Sequence, residues 1–250
     1  MSGYGGSYSR SDDPQSEVLA ELNSMEAVLQ LGRLVVGEMP LEQVYLRVAE
    51  IARDAVPGAD EVSVTMVRGD RADTAASTGR LATRLDGCQC TDGAGPGLEA
   101  ARTGSTMIVA DMSAETRWPE YAVQAVQDGV LSSLSVALPM NDGSAGAFNI
   151  YARKRDAFDE HGQRFAHRAA EHGAIAMTNA SLYAASVLLA EQLGQAMESR
   201  AVIEQAKGII MGERRCSAED AFAVLAAVSQ GANRKLRDIA CGLVGQARTR

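Results

Sequence analysis

The chain has 250 residues, enough for one large domain or two smaller ones, and 46% of them are hydrophobic, which excludes a wholly disordered protein. No uninterrupted apolar run reaches the roughly 18 residues that a membrane span needs, and residues 1–16 lack the apolar stretch of a secretory signal. Four cysteines are too few for a disulfide scaffold in a chain of this length. A cytoplasmic protein with a disordered tail over residues 1–16 is therefore expected.

The two ends of the chain differ in charge. The formal net charge is −8, from 24 Lys and Arg against 32 Asp and Glu, and this balance argues against non-specific coating of nucleic acid. Residues 197–250 alone hold nine Lys and Arg and six Asp and Glu, a net of +3, which leaves 15 against 26, a net of −11, upstream. The C-terminal segment is therefore expected to have an electrostatic role of its own.

Helices and short strands alternate in the first 160 residues. Apolar stripes at helical spacing predict one helix within residues 17–38 and a second from Pro40 to about Pro57. Alternating, β-branched segments predict strands at residues 62–66, 107–109 and 134–138 and, after a turn at 141–144, at 145–151. Helices that flank an antiparallel sheet make an α+β domain, which we predict over residues 17–160.

A long helix is predicted after the sheet. All six prolines lie within the first 139 residues, and residues 160 to about 211 are nearly continuous in helix-forming residues. Apolar residues recur there every seven positions, at Ile175, Leu182, Leu189, Ala196 and Ile203, as in a coiled coil. The alternate positions of this repeat are mostly polar, and they are Asn179, Ser186, Leu193 and Arg200.

The repeat predicts a coiled-coil linker helix over residues 161–198 that joins two copies of the chain in a homodimer. Four or more heptads are hard to bury within one small domain, although a helix packed on its own domain remains the alternative. The predicted dimerisation residues are Ile175, Leu182, Leu189, Leu193, Ala196 and Ile203.

The last fifty residues predict three helical blocks with short breaks. Gly212 is expected to close the first, and Ser217 with Asp220 predicts a capping box at the start of the second. Asn233 is expected to cap the third. The spacing of Phe222 places it in the core, so base stacking on an aromatic ring is not expected in this segment.

This C-terminal segment resembles the ANTAR domain, a three-helix RNA-binding module of bacterial antitermination regulators. The resemblance covers residues 196–246 and rests on the combined spacing of Arg200, the run at 206–211, the Ala-Phe pair at 221–222 and the run at 233–240. It implies an ANTAR domain over residues 199–250.

The resemblance implies RNA as the partner, namely transcripts with two adjacent stem-loops whose binding prevents formation of a downstream terminator. A dimer would present one module to each hairpin, and linked sites gain avidity. Hairpin loops also offer unstacked bases that side chains can reach. The implied RNA-binding residues are Arg200, Gln205, Lys207, Gly208, Asn233, Arg234, Lys235 and Arg237.

Residues 26–157 resemble a GAF domain, a cytoplasmic fold that senses small molecules or other signals. The resemblance rests on the order of elements and on the segment Gly93–Ala100 before the strand at 107. It implies an unidentified small-molecule signal and no cofactor. Related bacterial sensors often have Cys where Gly97 stands, so a thiol role at that position is missing here.

Two alternatives to an RNA-binding regulator stay open. A GAF fold can host thiol chemistry of the methionine-sulfoxide-reductase type, with Cys88 and Cys90 as candidates, but that function would leave the basic C-terminal block unexplained. We expect these two thiols to lie in a surface loop. The other alternative is a sensor whose helical end contacts only another protein. We predict a regulator with no catalytic residue and no metal site.

Overall fold

The computed structural model describes residues 25–34, 37, 39–140 and 144–248, with side-chain detail up to residue 247. The predicted tail and most of the predicted turn at 141–144 lie outside this part. The chain divides into two compact units, one that ends at Ala184 and one that begins at Ala185.

The first unit is built on a five-stranded antiparallel sheet in the order β2-β1-β5-β4-β3, which confirms the predicted sheet. The strands are β1 Glu61–Arg68, β2 Arg71–Ser77, β3 Met107–Val109, β4 Ser132–Leu138 and β5 Ala145–Ala152. The central strand β5 pairs Phe148 with Val64 of β1 and Val136 of β4. These residues are buried, so the middle of the sheet forms the core.

Helices cover both faces of the sheet. They are α1, described over residues 25–32, α2 Leu41–Ala55, α3 Arg80–Asp92, α4 Pro96–Thr103 and α5 Pro119–Gln127, with a 3₁₀ turn at Met112–Ala114. Helix α2 packs with Phe165 and Met177 of the following long helix against one face. Leu85 of α3, Leu98 of α4 and Tyr121 of α5 are buried on the other.

The long helix α6, Glu160–Arg214, has 55 residues. The prediction that Gly212 closes it is wrong. Gly212 is helical, and the chain leaves the helix at Arg215, whose φ of 52° is in the left-handed region. A non-glycine residue therefore takes the backbone conformation for which glycine was expected.

Among the described residues, α6 is also the one helix that is long and apolar enough to cross a membrane, by length and composition alone. Only 28% of its most apolar segment is buried. A core helix passes the same test. The N-terminal part of α6 is buried on the sheet through Phe165, Ala169 and Met177, so this part is a core helix of the first unit.

The second unit is a three-helix bundle of the end of α6, α7 Ala218–Ala232 and α8 Leu236–Arg248. Its core consists of Ala206, Ile210, Ala221, Leu225, Ala240 and Val244. The capping box is confirmed, because Ser217 Oγ accepts from Asp220 N at 3.1 Å and the Asp220 carboxylate accepts from Ser217 N at 3.3 Å. Asn233 does not cap α8 as predicted. It ends α7 with a φ of 49°, a conformation that asparagine tolerates.

Candidate nucleic-acid interface and sensor core

The connection between α7 and α8 presents a cluster of cations. Arg234 and Lys235 are exposed in the connection, and Arg237 follows in the first turn of α8, beside the exposed Asn233. Arg237 Nη2 lies 3.3 Å from Glu198 Oε2 on α6. Exposed ion pairs of this kind contribute little free energy, so a phosphate can replace Glu198. The predicted residues of this segment are thus available to an anionic ligand.

The predicted RNA-binding residues on α6 differ in their exposure to solvent. Arg200, Gln205 and Gly208 are exposed, and a Cβ at Gly208 would meet no atom within 4 Å. The side chain of Lys207 is only 16% exposed, and its Nζ lies 3.0 Å from each carboxylate oxygen of Glu204. Lys207 is therefore the least available cation of the predicted set.

Two arginines and one aromatic ring add to the exposed surface of this unit. Arg214 and Arg215 are exposed at the end of α6, beyond the helix end that was predicted at Gly212, and they are not among the predicted RNA-binding residues. The prediction that Phe222 is in the core is wrong, because its side chain is 46% exposed. Ala221 fills the inward position instead, and Phe222 is rotated from it by about 100° around α7.

The predicted dimerisation residues fall into two groups. Ile175, Leu182, Leu189 and Leu193 are more than half exposed, and Ala196 is exposed as well. Met197 extends this exposed row by one turn. Ile203 lies instead against the core of the three-helix bundle. We call the residues from Ile175 to Met197 that share this face the apolar stripe of α6.

A buried carboxylate is the centre of a polar cluster in the GAF-like unit. Asp86 of α3 is fully buried. Its Oδ1 accepts from Tyr151 Oη at 2.6 Å and Asn149 Nδ2 at 3.1 Å, and its Oδ2 accepts from Thr65 Oγ1 at 3.2 Å and Thr74 Oγ1 at 3.1 Å. None of these four partners is a cation. Burial raises the pKa of Asp86, although its hydrogen bonds act in the opposite direction.

Two further hydroxyl groups lie in the same unit without a partner. Tyr121 Oη and Ser133 Oγ are buried and have no hydrogen-bond partner among the described residues. Burial also raises the pKa of Tyr121, with Asp86 adding to the effect. Unpaired buried polar groups are costly, so they are a recognised sign of a missing partner.

The sheet face beneath α4 leaves no room for a side chain at Gly97. A Cβ there would collide with the side-chain amide of Asn149. The backbone N–H of Gly97 donates to Gln89 Oε1 at 2.8 Å, and Leu98 N donates to the same oxygen at 3.4 Å. Glycine at a position where related sensors often have Cys is thus explained by the packing of Asn149.

Cys88 and Cys90 lie in helix α3, not in the expected surface loop. Burial raises the pKa of both thiols, and nearby carboxylates raise it further. A raised pKa favours the neutral thiol at neutral pH, which is a weak nucleophile. Their surroundings therefore do not activate them for thiol chemistry.

The Asp86 cluster predicts a pH-dependent gain in stability for the Asp86→Asn variant. The pKa of Asp86 is higher in the folded protein than the value of about 3.9 in the unfolded chain. Asp86 therefore adds to the free energy of unfolding at a pH below the unfolded value, and this contribution is lost as the pH rises through the folded pKa. Removing the ionisable group should therefore raise the melting temperature more at pH 8 than at pH 5. Thermal unfolding at both pH values measures this difference.

Asp70→Asn makes the same chemical change at an exposed position in the β1–β2 turn and serves as the control for Asp86→Asn. We expect no comparable pH-dependent gain from it. A gain from Asp86→Asn that is equal at both pH values, or a loss at pH 8, would contradict the unfavourable ionisation of Asp86.

Comparison with known proteins agrees with this architecture. A GAF domain family model matches residues 38–178, more than half of the chain, and an ANTAR domain family model matches residues 191–244. No curated protein matches the chain.

Solved structures share the fold of the first unit. The substrate complex of free methionine-R-sulfoxide reductase from Neisseria meningitidis is 21% identical, with a TM-score of 0.52 over 70% of this chain and 96% of that one. The GAF domain of a phosphoenolpyruvate-protein phosphotransferase from Coxiella burnetii is 19% identical, with a TM-score of 0.50 over 66% of this chain and 98% of that one. The chain belongs to the GAF-ANTAR family, with a GAF domain followed by an ANTAR domain.

Proposed function

We propose that this protein is a cytoplasmic bacterial regulator that binds paired stem-loops in nascent transcripts through its ANTAR domain and promotes transcription antitermination. The observation that carries the proposal is a cluster within the segment that the ANTAR model matches, formed by the exposed Arg234 and Lys235 and the half-exposed Arg237. Arg234 and Lys235 form no ion pair with the described residues, so both are available to phosphates.

Loop recognition suits this surface. Arg234, Lys235 and Arg237 can hold phosphates, while Asn233 can donate and accept at base edges. Unpaired loop bases expose their hydrogen-bonding edges to side chains, whereas the deep and narrow major groove of an A-form stem does not. Hairpin loops are therefore better targets than stems. Pairing of two chains along the apolar stripe of α6 would supply two such surfaces for two hairpins.

We propose that the signal reaches the GAF domain at the sheet face that α3 covers. Asp86 offers a carboxylate whose four hydrogen bonds are all internal, and the buried hydroxyl groups of Tyr121 and Ser133 can donate or accept, so a small polar molecule suits this face. In the described structure the side chains of this face bond to one another. Binding would therefore have to exchange internal hydrogen bonds for bonds to the ligand.

We further propose that the protein is not an enzyme. The reductase likeness concerns the fold, and Cys88 and Cys90 have raised pKa values that favour the unreactive thiol. Gly97 also leaves no space for a cysteine. Turnover of free methionine sulfoxide by the purified protein would contradict this view.

Filter binding of the full chain to a two-hairpin RNA, a single-hairpin RNA and a two-hairpin RNA with scrambled loops tests the proposal. We expect the tightest binding to the first. If each protomer neutralises two phosphates at the Arg234–Arg237 cluster, that cluster should contribute roughly −3 to the slope of log affinity against log salt, at about −0.7 per phosphate. Equal affinity for the scrambled loops would overturn loop recognition, and equal affinity for one hairpin would overturn bivalent binding.

A further inference from the structure

An exposed aromatic side chain is the most unusual feature of the ANTAR unit. Phe222 is the only aromatic residue after Tyr183, and it is 46% exposed although the rest of its helix packs through Ala221 and Leu225. Helix α7 contains no charged residue after Asp220. Single exposed apolar side chains are common on protein surfaces, but an aromatic ring exposed in a nucleic-acid-binding unit can stack on an unpaired base.

The ring lies at the same end of the bundle as two exposed arginines. Arg214 and Arg215 end α6, and Phe222 follows the cap residue Ser217 by five positions, or about 7.5 Å along α7. Ile210, one turn before Arg214, and Ala221, next to Phe222, belong to the same hydrophobic cluster.

The charges around the ring are mixed. Asp220 is engaged in the capping box, where its carboxylate accepts from Ser217 N at 3.3 Å and Ser217 Oγ at 2.7 Å. Glu213 and Glu219 are exposed nearby in the chain and offset the charge of the two arginines. Charge alone therefore gives this corner little attraction for a polyanion. Any affinity here has to come mainly from the face of the ring.

Proteins that bind single-stranded nucleic acid combine aromatic side chains, which stack on the bases, with cationic side chains, which contact the phosphates. The ring stacks on a base of any sequence, and a neighbouring arginine holds the adjoining phosphate or adds a second planar surface. The loops of hairpins supply such unstacked bases. A duplex without loops does not.

We infer that Phe222 is a base-stacking residue and that, with Arg214 and Arg215, it forms a second RNA contact apart from the Arg234–Arg237 cluster. The inference rests on the proposed function, since it deepens how the ANTAR domain holds a hairpin loop. It also reverses the expectation that an aromatic ring takes no part in RNA recognition. Stacking of this kind changes affinity by about 5- to 100-fold per base.

The test compares Phe222→Leu with Phe222→Trp in the full chain, using the two-hairpin RNA and a loop-free RNA duplex as probes. Leucine keeps apolar volume but has no aromatic face. We expect Phe222→Leu to bind the two-hairpin RNA about 5- to 100-fold more weakly with an unchanged salt slope. Phe222→Trp should retain the parent's affinity, and its fluorescence should be quenched by the RNA, because Trp118 is buried.

Val228→Ala is the matched control, since Val228 is also about half exposed on α7 but faces away from Phe222 by roughly 120°. It should bind like the parent, and none of the variants should change the weak binding to the duplex. Arg214→Ala should instead make the salt slope shallower by about 1.4, one phosphate for each of two protomers.

Two results would overturn the inference in distinguishable ways. If the parent binds the two-hairpin RNA and a folded Phe222→Leu variant binds it equally well, the ring does not stack on RNA and a protein partner becomes the better occupant. If the parent shows no preference for hairpin loops, the proposed function fails and the stacking role fails with it. Circular dichroism of each variant confirms the fold.

Discussion

Glutamate at both Leu189 and Leu193 should weaken self-association of the chain by at least about 100-fold. The two leucines are more than half exposed and lie about 40° apart on the apolar stripe of α6. In a paired dimer the new carboxylates would be buried without partners, at a cost of several kcal/mol, and each 1.4 kcal/mol is about tenfold in affinity. Sedimentation velocity over a concentration series measures the change.

The control places the same two charges on the other sides of the helix, at Val187 and Leu188. Both are exposed, and they are rotated from the stripe by about 120° or more. This variant should associate like the parent. If the two double variants behave alike, or if the Leu189 and Leu193 variant keeps the parent's affinity, the dimer uses another surface.

Alanine at both Arg234 and Lys235 should remove most of the salt dependence of RNA binding. Two cations lost from each of two protomers correspond to four phosphates, so the slope should become shallower by about 3. The affinity loss should be largest at low salt, where counterion release contributes most. Filter binding at four salt concentrations measures both quantities.

The matched control removes two exposed arginines from the GAF unit, Arg164 and Arg168 on α6. Its slope should equal that of the parent. Lys207→Ala should have a smaller effect than either exposed cation, because Lys207 is largely buried and paired with Glu204. An equal change of slope in the control would mean that total charge, and not the α7–α8 connection, determines RNA affinity.

The sequence was most informative where a pattern is local. Alternating apolar residues located β1, β3, β4 and β5, and the absence of proline located α6. Strand β2, with the sequence RADTAAS, was missed because it contains no β-branched residue except Thr74 and is only partly buried. Helices α3, α4 and α5 were also missed, because they are short and because a glycine stands at each end of α3 and of α4.

Two departures from the predicted patterns on α6 and α7 have a geometric cause. A strict seven-residue repeat drifts by about 20° per heptad on a straight helix. Over the four heptads from Ile175 to Ile203 the drift is about 80°, which turns Ile203 from the apolar stripe into the core of the bundle. Phe222 was misplaced because α7 is apolar all round, so its periodicity does not identify the inward face.

The candidate sites differ in how far the sequence could locate them. Arg234, Lys235 and Arg237 are neighbours in the chain, so their clustering needs no tertiary information. The Asp86 cluster is different, because its donors come from strands β1, β2 and β5, up to 65 positions away along the chain. Only the fold brings a carboxylate and these hydroxyl and amide groups together.

Helix α3 is expected to open locally from the sheet at a lower free energy than the strands that it covers. It holds Asp86 away from water, and Gly87 in its interior costs about 1 kcal/mol relative to alanine. When the helix lifts from the sheet, the carboxylate regains hydration, which offsets part of the lost packing. The free energy of local opening is therefore expected to be lower for α3 than for the buried strand β5, and its amide protons should exchange with solvent first.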